Sequence, residues 1–292
     1  MKKIIILTGP TASGKSKIAE NLHNLHSKGI SIINADSKQV YKQIPILTSQ
    51  PLTTKNYKLY GYIDVNQCYS VAIWLQDIEK TIEQAIVAEK IPLVVGGSGM
   101  YISTLINGLS YSDGISKFNK KTFIDKHCNK STEILYKKLS TIDPAAAAKI
   151  HPNDTYRIQH ALFVKTTIGQ SITSINQHRK QPNSSWMFKI YSTMPSREKL
   201  YHNIDQRVLK FFDIGVIKEV HNLLSTNISN EAKQSIGFQE IKKYLEKKIS
   251  IDNAIALMQQ KTRNYAKRQI TWIKNQLTNA EIVENANMID IK

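Results

Sequence analysis

The sequence predicts an α/β fold in which helices flank a parallel sheet and a helical domain is inserted into the chain. Short apolar runs alternate with helical periodicity over the first hundred residues, which indicates strands joined by crossover helices. From Ser110 onwards the chain becomes polar, lysine-rich and helical before an apolar strand returns, which indicates the insertion. A length of 292 residues with 41% hydrophobic composition is enough for one large domain that carries an insertion.

The elements follow one another in a doubly wound order, in which ligands bind at the carboxyl ends of the strands. Buried strands are predicted at 2–7, 29–35, 92–97 and 187–194. Helices are predicted at 16–26, 74–90, 131–150, 155–167, 197–215, 235–248 and 251–277. We therefore expect an α/β core with C-terminal helices, formed by residues 1–110 and 183–292, and a helical insertion domain of residues 111–182.

The formal net charge is +17, from 40 basic and 23 acidic residues. Residues 111–182 hold twelve Lys and Arg against five Asp and Glu, and residues 241–275 hold nine against two. Such clustering favours a polyanionic partner, because each neutralised phosphate releases counterions. A genome that enriches lysine in all its proteins is the alternative explanation of the total charge.

Cysteine usage and the first residues bear on the cellular compartment. Cys68 and Cys128 lie sixty residues apart without paired neighbours, which excludes a cysteine-based zinc site and argues against a disulfide scaffold. The apolar run behind Met1 is too short for a signal peptide or a membrane span. We expect a cytoplasmic protein with reduced thiols and no membrane association.

The segment GPTASGKS follows the first predicted strand directly. Its spacing is that of a phosphate-binding loop (P-loop), in which backbone N–H groups, a lysine and a metal-binding hydroxyl surround a polyphosphate. The expected fold class is therefore like that of the P-loop-containing nucleoside-triphosphate hydrolases. The residues of the loop are Gly9, Pro10, Thr11, Ala12, Ser13, Gly14, Lys15 and Ser16.

Loops of this type usually bind ATP or GTP, and phosphoryl transfer needs a further carboxylate that orients magnesium. The strand at 92–97 ends in Gly-Gly-Ser, whereas the strand at 29–35 is followed by Asp36. One acidic group at the strand ends leaves two alternatives open. Asp36 is either a metal ligand, as in a small-molecule kinase, or a base that takes a proton from a nucleophile beside a bound polyphosphate.

Five blocks in order resemble the tRNA dimethylallyltransferase family: GPTASGKS, ADSKQVY, GGSGMYI, IDQRV followed by GVIKEV, and TRNYAKRQITW. They extend from residue 9 to about 274, which is nearly the whole chain. The resemblance implies transfer of a dimethylallyl group from dimethylallyl diphosphate to N6 of adenosine 37, next to the tRNA anticodon, with release of diphosphate. It implies the bacterial type, because the sequence lacks the zinc finger of eukaryotic relatives.

The resemblance also implies roles for single residues. Asp36 would accept the N6 proton, and Lys15, Ser98 and Arg207 would stabilise the charge that develops on the diphosphate leaving group. Ser16 would ligate Mg²⁺. The implied contacts with the tRNA anticodon stem-loop are Asp36, Ser37, Lys38, Gln39, Ser98, Lys120, Tyr156, Arg157, Ile158, Gln159, His160, Arg263, Lys267 and Arg268.

Departures from the family pattern fall mainly on these RNA contacts. His160 stands in place of the usual arginine, Gln50 in place of a lysine and Lys38 where methionine is common.

The alternative functions are a P-loop small-molecule kinase that uses ATP and a basic RNA-binding module that has lost its chemistry. The kinase has no use for two basic regions, and the module would show damage at the catalytic positions, which are intact. We expect a monomer.

Overall fold

The structure is a computed structural model that describes residues 1–26, 29–51, 57–110, 131–175, 179–180 and 183–291. Its Cα packing divides the chain into two compact units. The first unit comprises residues 1–103 and 183–292, and the second comprises residues 104–182. The insertion predicted from sequence covers residues 111–182, and its first twenty residues, 111–130, lie outside the described part of the chain.

The strands of the described residues are β1 (Lys2–Thr8), β2 (Ile30–Asn34), β3 (Tyr57–Lys58), β4 (Ile91–Val95), β5 (Leu109–Ser110), β6 (Arg179–Lys180), β7 (Trp186–Ser192) and β8 (Glu281–Ile282). Six of them form one sheet in the order β3-β2-β4-β1-β7-β8, and every neighbouring pair is parallel. The parallel sheet flanked by helices confirms the predicted fold class. All its strands therefore end at the same edge, where ligands bind in folds of this kind.

The central strands are short apolar runs because both faces of the sheet are covered. Ile4, Ile5, Ile6 and Leu7 of β1 are all 0% exposed, and Ile5 pairs with Leu93 of β4. A polar residue inside these strands would have to find a hydrogen-bond partner within the core. Length and apolar character were therefore sufficient to locate β1, β2, β4 and β7 in the sequence.

The helices of the first unit surround this sheet. They are α1 (Lys15–Leu25), α2 (Pro45–Thr48), α3 (Val71–Val87), α4 (Gly99–Asn107, which continues into the second unit), and, after the insertion, α9 (Arg197–Asp213), α10 (Val216–Leu223), α11 (Asn230–Lys233), α12 (Phe238–Leu245) and α13 (Ile251–Gln276). Helices α9 and α13 pack together through Leu200, Ile204 and Ala266. Their apolar contact places both helices beside the segment that follows β1, since Ala12 packs on the same cluster.

The second unit contains α5 (Thr132–Ile142), α6 (Pro144–Ala147), α7 (Thr155–Ile168) and α8 (Ile172–Ile175), with β5 and β6 paired antiparallel. Leu135, Leu139, Ile158 and Leu162 form its core. The sequence predicted one helical segment over 131–150, but the structure breaks it before Pro144. Proline lacks the N–H that a continuous helix needs, and it is favoured at the first position of a new one.

None of the helices within the described ranges is both long enough and apolar enough to cross a membrane.

Candidate active site

The phosphate loop, residues 9–16, joins β1 to α1 and packs against the end of β7. Gly9 has a φ of +153°, and a Cβ atom at this position would lie 2.1 Å from Oγ1 of Thr193. The hydroxyls of Ser13 and Thr193 are 2.5 Å apart. A side chain at position 9 would therefore force the loop away from the neighbouring strand.

Two helices from the C-terminal part of the chain hold the opposite side of the loop. Gln269 of α13 accepts a hydrogen bond from the backbone N–H of Thr11 at 2.8 Å. From α9, Asn203 donates to the carbonyl of Ala12 at 3.2 Å, and Arg207 donates through Nη2 to Oγ1 of Thr11 at 2.5 Å. The conformation of the loop thus depends on residues that lie 191 to 258 positions away in the sequence.

Helix α1 begins at Lys15, directly after Gly14, which has a φ of +92° and offers no side-chain cap. The first N–H groups of a helix have no acceptor within the helix, and they lie at the positive end of its dipole. The first turn contains no acidic residue. The junction of loop and helix therefore presents donors and positive potential suited to a phosphate group.

Asp36 lies immediately beyond β2, on a loop that its own carboxylate holds in place. Its Oδ1 accepts from the backbone N–H of Lys38 at 2.9 Å and of Gln39 at 3.4 Å, and its own N–H donates to Oδ1 of Asn34 at 2.8 Å. The N–H of Ser37 donates to Oγ of Ser98 at 3.0 Å. The carboxylate is therefore fixed at the same sheet edge as the phosphate loop.

Two adjoining cavities open at this edge of the sheet. The first, of about 360 Å³, is lined by polar residues that include Lys15 and Ser16, and we call it the phosphate cavity. The second, of about 280 Å³, is lined by polar residues and by a group of apolar side chains that the phosphate cavity lacks, and we call it the apolar cavity. Its apolar lining is Leu47, Phe211, Ile236 and Met258. Thr11, Asp36, Thr48, Ser49 and Arg207 line both cavities.

Two partly buried cations, Lys15 and Arg207, lie around one carboxylate at the junction of the cavities. Burial lowers the pKa of Lys15 to about 8; the nearby Asp36 opposes this shift, and Arg207 adds to it. Burial likewise lowers the pKa of Arg207 to about 10, again opposed by Asp36. Among the described residues that line the two cavities, Asp36 is the only carboxylate. The pocket therefore has an excess of positive charge, and a bound anion would relieve it.

Comparison with known proteins identifies the family. The model of a family described as IPP transferase matches residues 39–276. The chain belongs to the IPP transferase family. It is 44% identical over 289 residues to the tRNA dimethylallyltransferase of Wolbachia pipientis subsp. Culex pipiens (strain wPip), with 98% of this chain and 97% of the relative covered. It is 40% identical over 294 residues to the tRNA dimethylallyltransferase of Ehrlichia canis (strain Jake), with 98% and 96% covered.

Solved structures of IPP transferases share the fold. A eukaryotic dimethylallyltransferase described as acting on tRNA is 28% identical with a TM-score of 0.78, with 97% of this chain and 74% of that one covered. The tRNA isopentenylpyrophosphate transferase of Bacillus halodurans is 26% identical with a TM-score of 0.67, with 100% and 92% covered. The likeness extends over nearly the whole chain and so includes all the strand ends that form the site.

The predicted catalytic residues of this IPP transferase lie at one sheet edge, with a difference at Ser98. Lys15 and Arg207 line the phosphate cavity with Asp36, as expected for diphosphate donors. Ser98 lines neither cavity, is 8% exposed, and accepts from Ser37, while the Tyr265 phenol is hydrogen-bonded to it. Its hydroxyl supports the loop that carries Asp36, and its contact with diphosphate stays a prediction.

The basic residues predicted on α13 separate into two groups. Arg263 pairs with Asp205 of α9, with Nη1 and Oδ1 2.5 Å apart, and thereby ties the two helices together. Lys267 and Arg268 are exposed and line a groove on α13 together with Trp272. Arg268 also lines the apolar cavity, so it connects that cavity to the surface of the helix.

The other predicted RNA contacts lie partly in the first unit and partly in the second. Lys38 lines the apolar cavity, and its Nζ donates to the carbonyl of Glu231 at 2.6 Å. On α7, Tyr156 and Arg157 are exposed, but Ile158 is 0% exposed in the core of the second unit, so its side chain is not available to RNA. Gln159 and His160 of α7 are partly buried. Lys120 lies outside the described residues.

The sequence did not indicate several residues that shape the site. Gln269 and Asn203 hold the phosphate loop, and Phe211 and Met258 line the apolar cavity. Gln269 lies inside the block TRNYAKRQITW, where only the basic residues were interpreted. The one signal in the sequence was an uncharged amide at the end of a basic run on an amphipathic helix. A polar side chain that becomes buried needs hydrogen-bond partners, and such a residue is therefore a candidate for a structural contact.

Proposed function

We propose that this chain transfers a dimethylallyl group from dimethylallyl diphosphate to N6 of adenosine 37 in tRNA and releases diphosphate. One observation carries the proposal: Asp36 and Arg207 line both the phosphate cavity and the apolar cavity. A diphosphate in the first cavity would place its five-carbon chain towards the second. The carboxylate then lies where carbon leaves oxygen and joins nitrogen.

Breaking the allylic C–O bond leaves negative charge on diphosphate, and the phosphate cavity is suited to receive it. The ammonium of Lys15, the amides at the start of α1 and the guanidinium of Arg207 converge there. Within the described residues, Nε of Arg207 is buried and has no hydrogen-bond partner. Donors that strengthen their contacts as charge develops lower the barrier more than they stabilise the bound substrate.

The attacking adenine amine must lose a proton as the new C–N bond forms. Asp36 is the base assigned to that proton, because it is the carboxylate shared by both cavities. Its Oδ1 is committed to two backbone N–H groups, so Oδ2 is the oxygen that accepts the N6 proton. Holding amine and carboxylate together beside the donor also removes most of the entropic cost of the encounter.

The tRNA side of the proposal uses the apolar cavity and the surface of α13. A target base in a folded loop must leave its stack to reach such a pocket. Lys38, Tyr265 and Arg268 line the apolar cavity, and Lys267 continues the basic character along the groove. We propose Ser37, Gln39 and the exposed Tyr156 and Arg157 as further RNA contacts. The protein would act as a monomer in the cytoplasm.

Mg²⁺ fits the residues of the phosphate cavity as an ion shared with the substrate. The hydroxyl of Ser16 lines it, and oxygen atoms, here those of Ser16 and of a bound diphosphate, are the ligands that Mg²⁺ prefers. Among the described residues, no group of three or more His, Cys, Asp or Glu could hold a metal without help. When bound, the ion would neutralise part of the charge on the leaving diphosphate.

The decisive experiment incubates the protein with Mg²⁺, labelled dimethylallyl diphosphate and unmodified tRNA bearing an adenosine at position 37. We expect label on the tRNA and stoichiometric diphosphate release. A parallel reaction supplies γ-labelled ATP with nucleosides and small acids. Labelled phosphate on a small molecule, with no prenylated tRNA, would replace this proposal with the kinase alternative.

The substitution Asp36→Asn tests the base directly. Asparagine retains an oxygen that can accept from Lys38 and Gln39, so the loop should keep its shape while the base is lost. We expect turnover to fall by roughly 10²-fold or more, with the affinity for tRNA little changed. Asp252→Asn makes the same change at an exposed site in the first turn of α13 and serves as the control. Wild-type turnover in the Asp36 variant would remove this residue from the mechanism.

A further inference from the structure

Gln269 lies on helix α13, and its side-chain amide is buried although most charged residues of this helix are exposed. Its side chain is 6% exposed. Oε1 accepts from the N–H of Thr11 at 2.8 Å, and Nε2 donates to the carbonyl of Gly97 at 2.8 Å. Both ends of the amide are thus matched to a backbone group, and the match fixes its orientation because an N–H can only donate and a carbonyl can only accept.

The site of this amide is formed by close contact between two loops. A Cβ atom on Gly97 would lie 2.3 Å from Nε2 of Gln269 and 2.8 Å from the carbonyl oxygen of Gly9. The phosphate loop and the Gly-Gly-Ser loop after β4 therefore approach each other at backbone distance, with the Gln269 amide joining them. Any residue with a Cβ atom at position 97 would push the two loops apart.

The contacts of Gln269 continue to the catalytic carboxylate on one side and to the diphosphate donors on the other. Thr11, which it holds by the backbone, accepts through its hydroxyl from Arg207 at 2.5 Å. Gly97 is followed by Ser98, whose hydroxyl accepts from the N–H of Ser37, next to Asp36. A single side chain therefore links the loop that binds the leaving group with the loop that carries the base.

We propose that Gln269 is a positioning residue that sets the distance between the diphosphate-binding loop and the Asp36 loop, an inference that rests on the proposed prenyl transfer. It touches neither the donor nor the adenine. Its amide acts through Thr11 on one side and through Ser98 and Ser37 on the other. Misplacement of reacting groups by about 1 Å can reduce a rate by roughly 10²-fold, so a residue of this kind affects catalysis without contacting substrate.

The substitution Gln269→Glu separates positioning from simple packing, because glutamate has nearly the same shape. A protonated glutamic acid can reproduce both contacts, since its O–H donates to Gly97 and its carbonyl oxygen accepts from Thr11. An ionised glutamate can only accept, so it repels the Gly97 carbonyl and places a negative charge behind the phosphate loop. Burial favours the neutral form of a carboxyl group, so the change between the two forms falls in an accessible pH range.

We expect kcat/KM for dimethylallyl diphosphate in Gln269→Glu to be reduced by about tenfold or more at pH 8. The ratio of variant to wild type should rise towards one as the pH is lowered to about 5.5, because burial raises the pKa of the new carboxyl group and low pH favours its neutral form. The affinity for inorganic diphosphate, measured by calorimetry over the same range, should follow the same trend. Gln84→Glu makes the identical change on the exposed face of α3 and should match wild type at every pH.

The outcomes that would overturn the inference are distinct from those that would overturn the proposed function. Gln269→Met keeps the length of the side chain but lacks both polar groups at every pH, so wild-type kcat/KM in this variant would show that the amide contacts do not matter. A loss that is the same at every pH and parallels a drop in melting temperature shows a packing role only. If the wild-type protein transfers no prenyl group, the proposed function fails, and diphosphate affinity still reports whether Gln269 holds the phosphate loop.

Discussion

Lys15 is a residue whose charge depends on what occupies the phosphate cavity. Burial lowers its pKa to about 8 in the free protein, so it is largely protonated below that pH. A bound diphosphate favours the ammonium form and raises this pKa, so binding takes up a proton when the pH is above 8. We expect the dissociation constant for dimethylallyl diphosphate to rise above about pH 8, by up to about tenfold per pH unit.

Calorimetric titration between about pH 7 and 9.5 would measure this effect. Lys15→Ala is the comparison: it should bind more weakly and lose the dependence in this window, because Arg207 titrates higher, at a pKa of about 10. Identical profiles for the two proteins would assign the change in affinity to another group.

Single residues differed in how far the sequence could predict them. The phosphate loop that contains Lys15 and the loop that contains Asp36 both follow apolar strands, so their place at the sheet edge was predictable from the parallel topology. Gln269 and Asn203 were not, because each acts through a contact with a loop that lies far away in sequence. The burial of the Ile158 side chain was not predictable, since a motif gives the residue type but not the side of the helix that is buried.

At the scale of elements, the short helix α2 forms a wall of both cavities through Thr48 and Ser49. Glu219 of α10 supports it, because its two carboxylate oxygens accept from the N–H groups of Ile46 and Leu47 at 2.8 Å each. A helix of four residues has too few internal hydrogen bonds to be stable by itself. The wall therefore depends on a carboxylate from a distant helix.

We expect Glu219→Ala to lower the free energy of unfolding by about 1–2 kcal/mol, since two backbone donors lose their acceptor. The KM for dimethylallyl diphosphate should rise at the same time. Chemical denaturation and donor titration measure the two effects. Glu284→Ala removes an exposed carboxylate and should change neither quantity. A destabilised variant with an unaltered KM would show that α2 keeps its place without Glu219.

The predictability of the elements followed their length. The strands β1, β2, β4 and β7 are largely apolar runs of five to seven residues and the helix α13 carries helical periodicity over 26 residues, and all were predicted close to their observed bounds. The two-residue strands β3 and β8 and the helix α2 have no periodicity of their own and form through tertiary contacts. Helix α9 was predicted to reach residue 215, but it ends at Asp213, because Gly215 has a φ of +100°.

At the scale of the whole molecule, the sequence predicted the order of strands and helices but not the order of strands within the sheet. Hydrophobic runs identify strands that are buried on both faces, but they do not show which strands pair. Strand β1, the first in the chain, lies between β4 and β7, which come much later in the sequence. The pairing of β1 with β4 and β7 depends on the path of the chain between them, which periodicity does not record. The bounds of the insertion, residues 111–182, stay a prediction.

The net charge of +17 leads to a prediction about the complete complex. If tRNA is the polyanion that this charge serves, the logarithm of its association constant should fall linearly with the logarithm of salt concentration. Lys267→Ala removes one exposed cation from the groove on α13, so the slope should become shallower by about one. Lys2→Ala makes the same change at the amino end of β1, at the opposite sheet edge from the phosphate loop, and should leave the slope unaltered. Binding measured at several salt concentrations tests both variants together. Equal slopes for the two variants would show that the excess charge acts through the general field of the protein and not through phosphate contacts along α13.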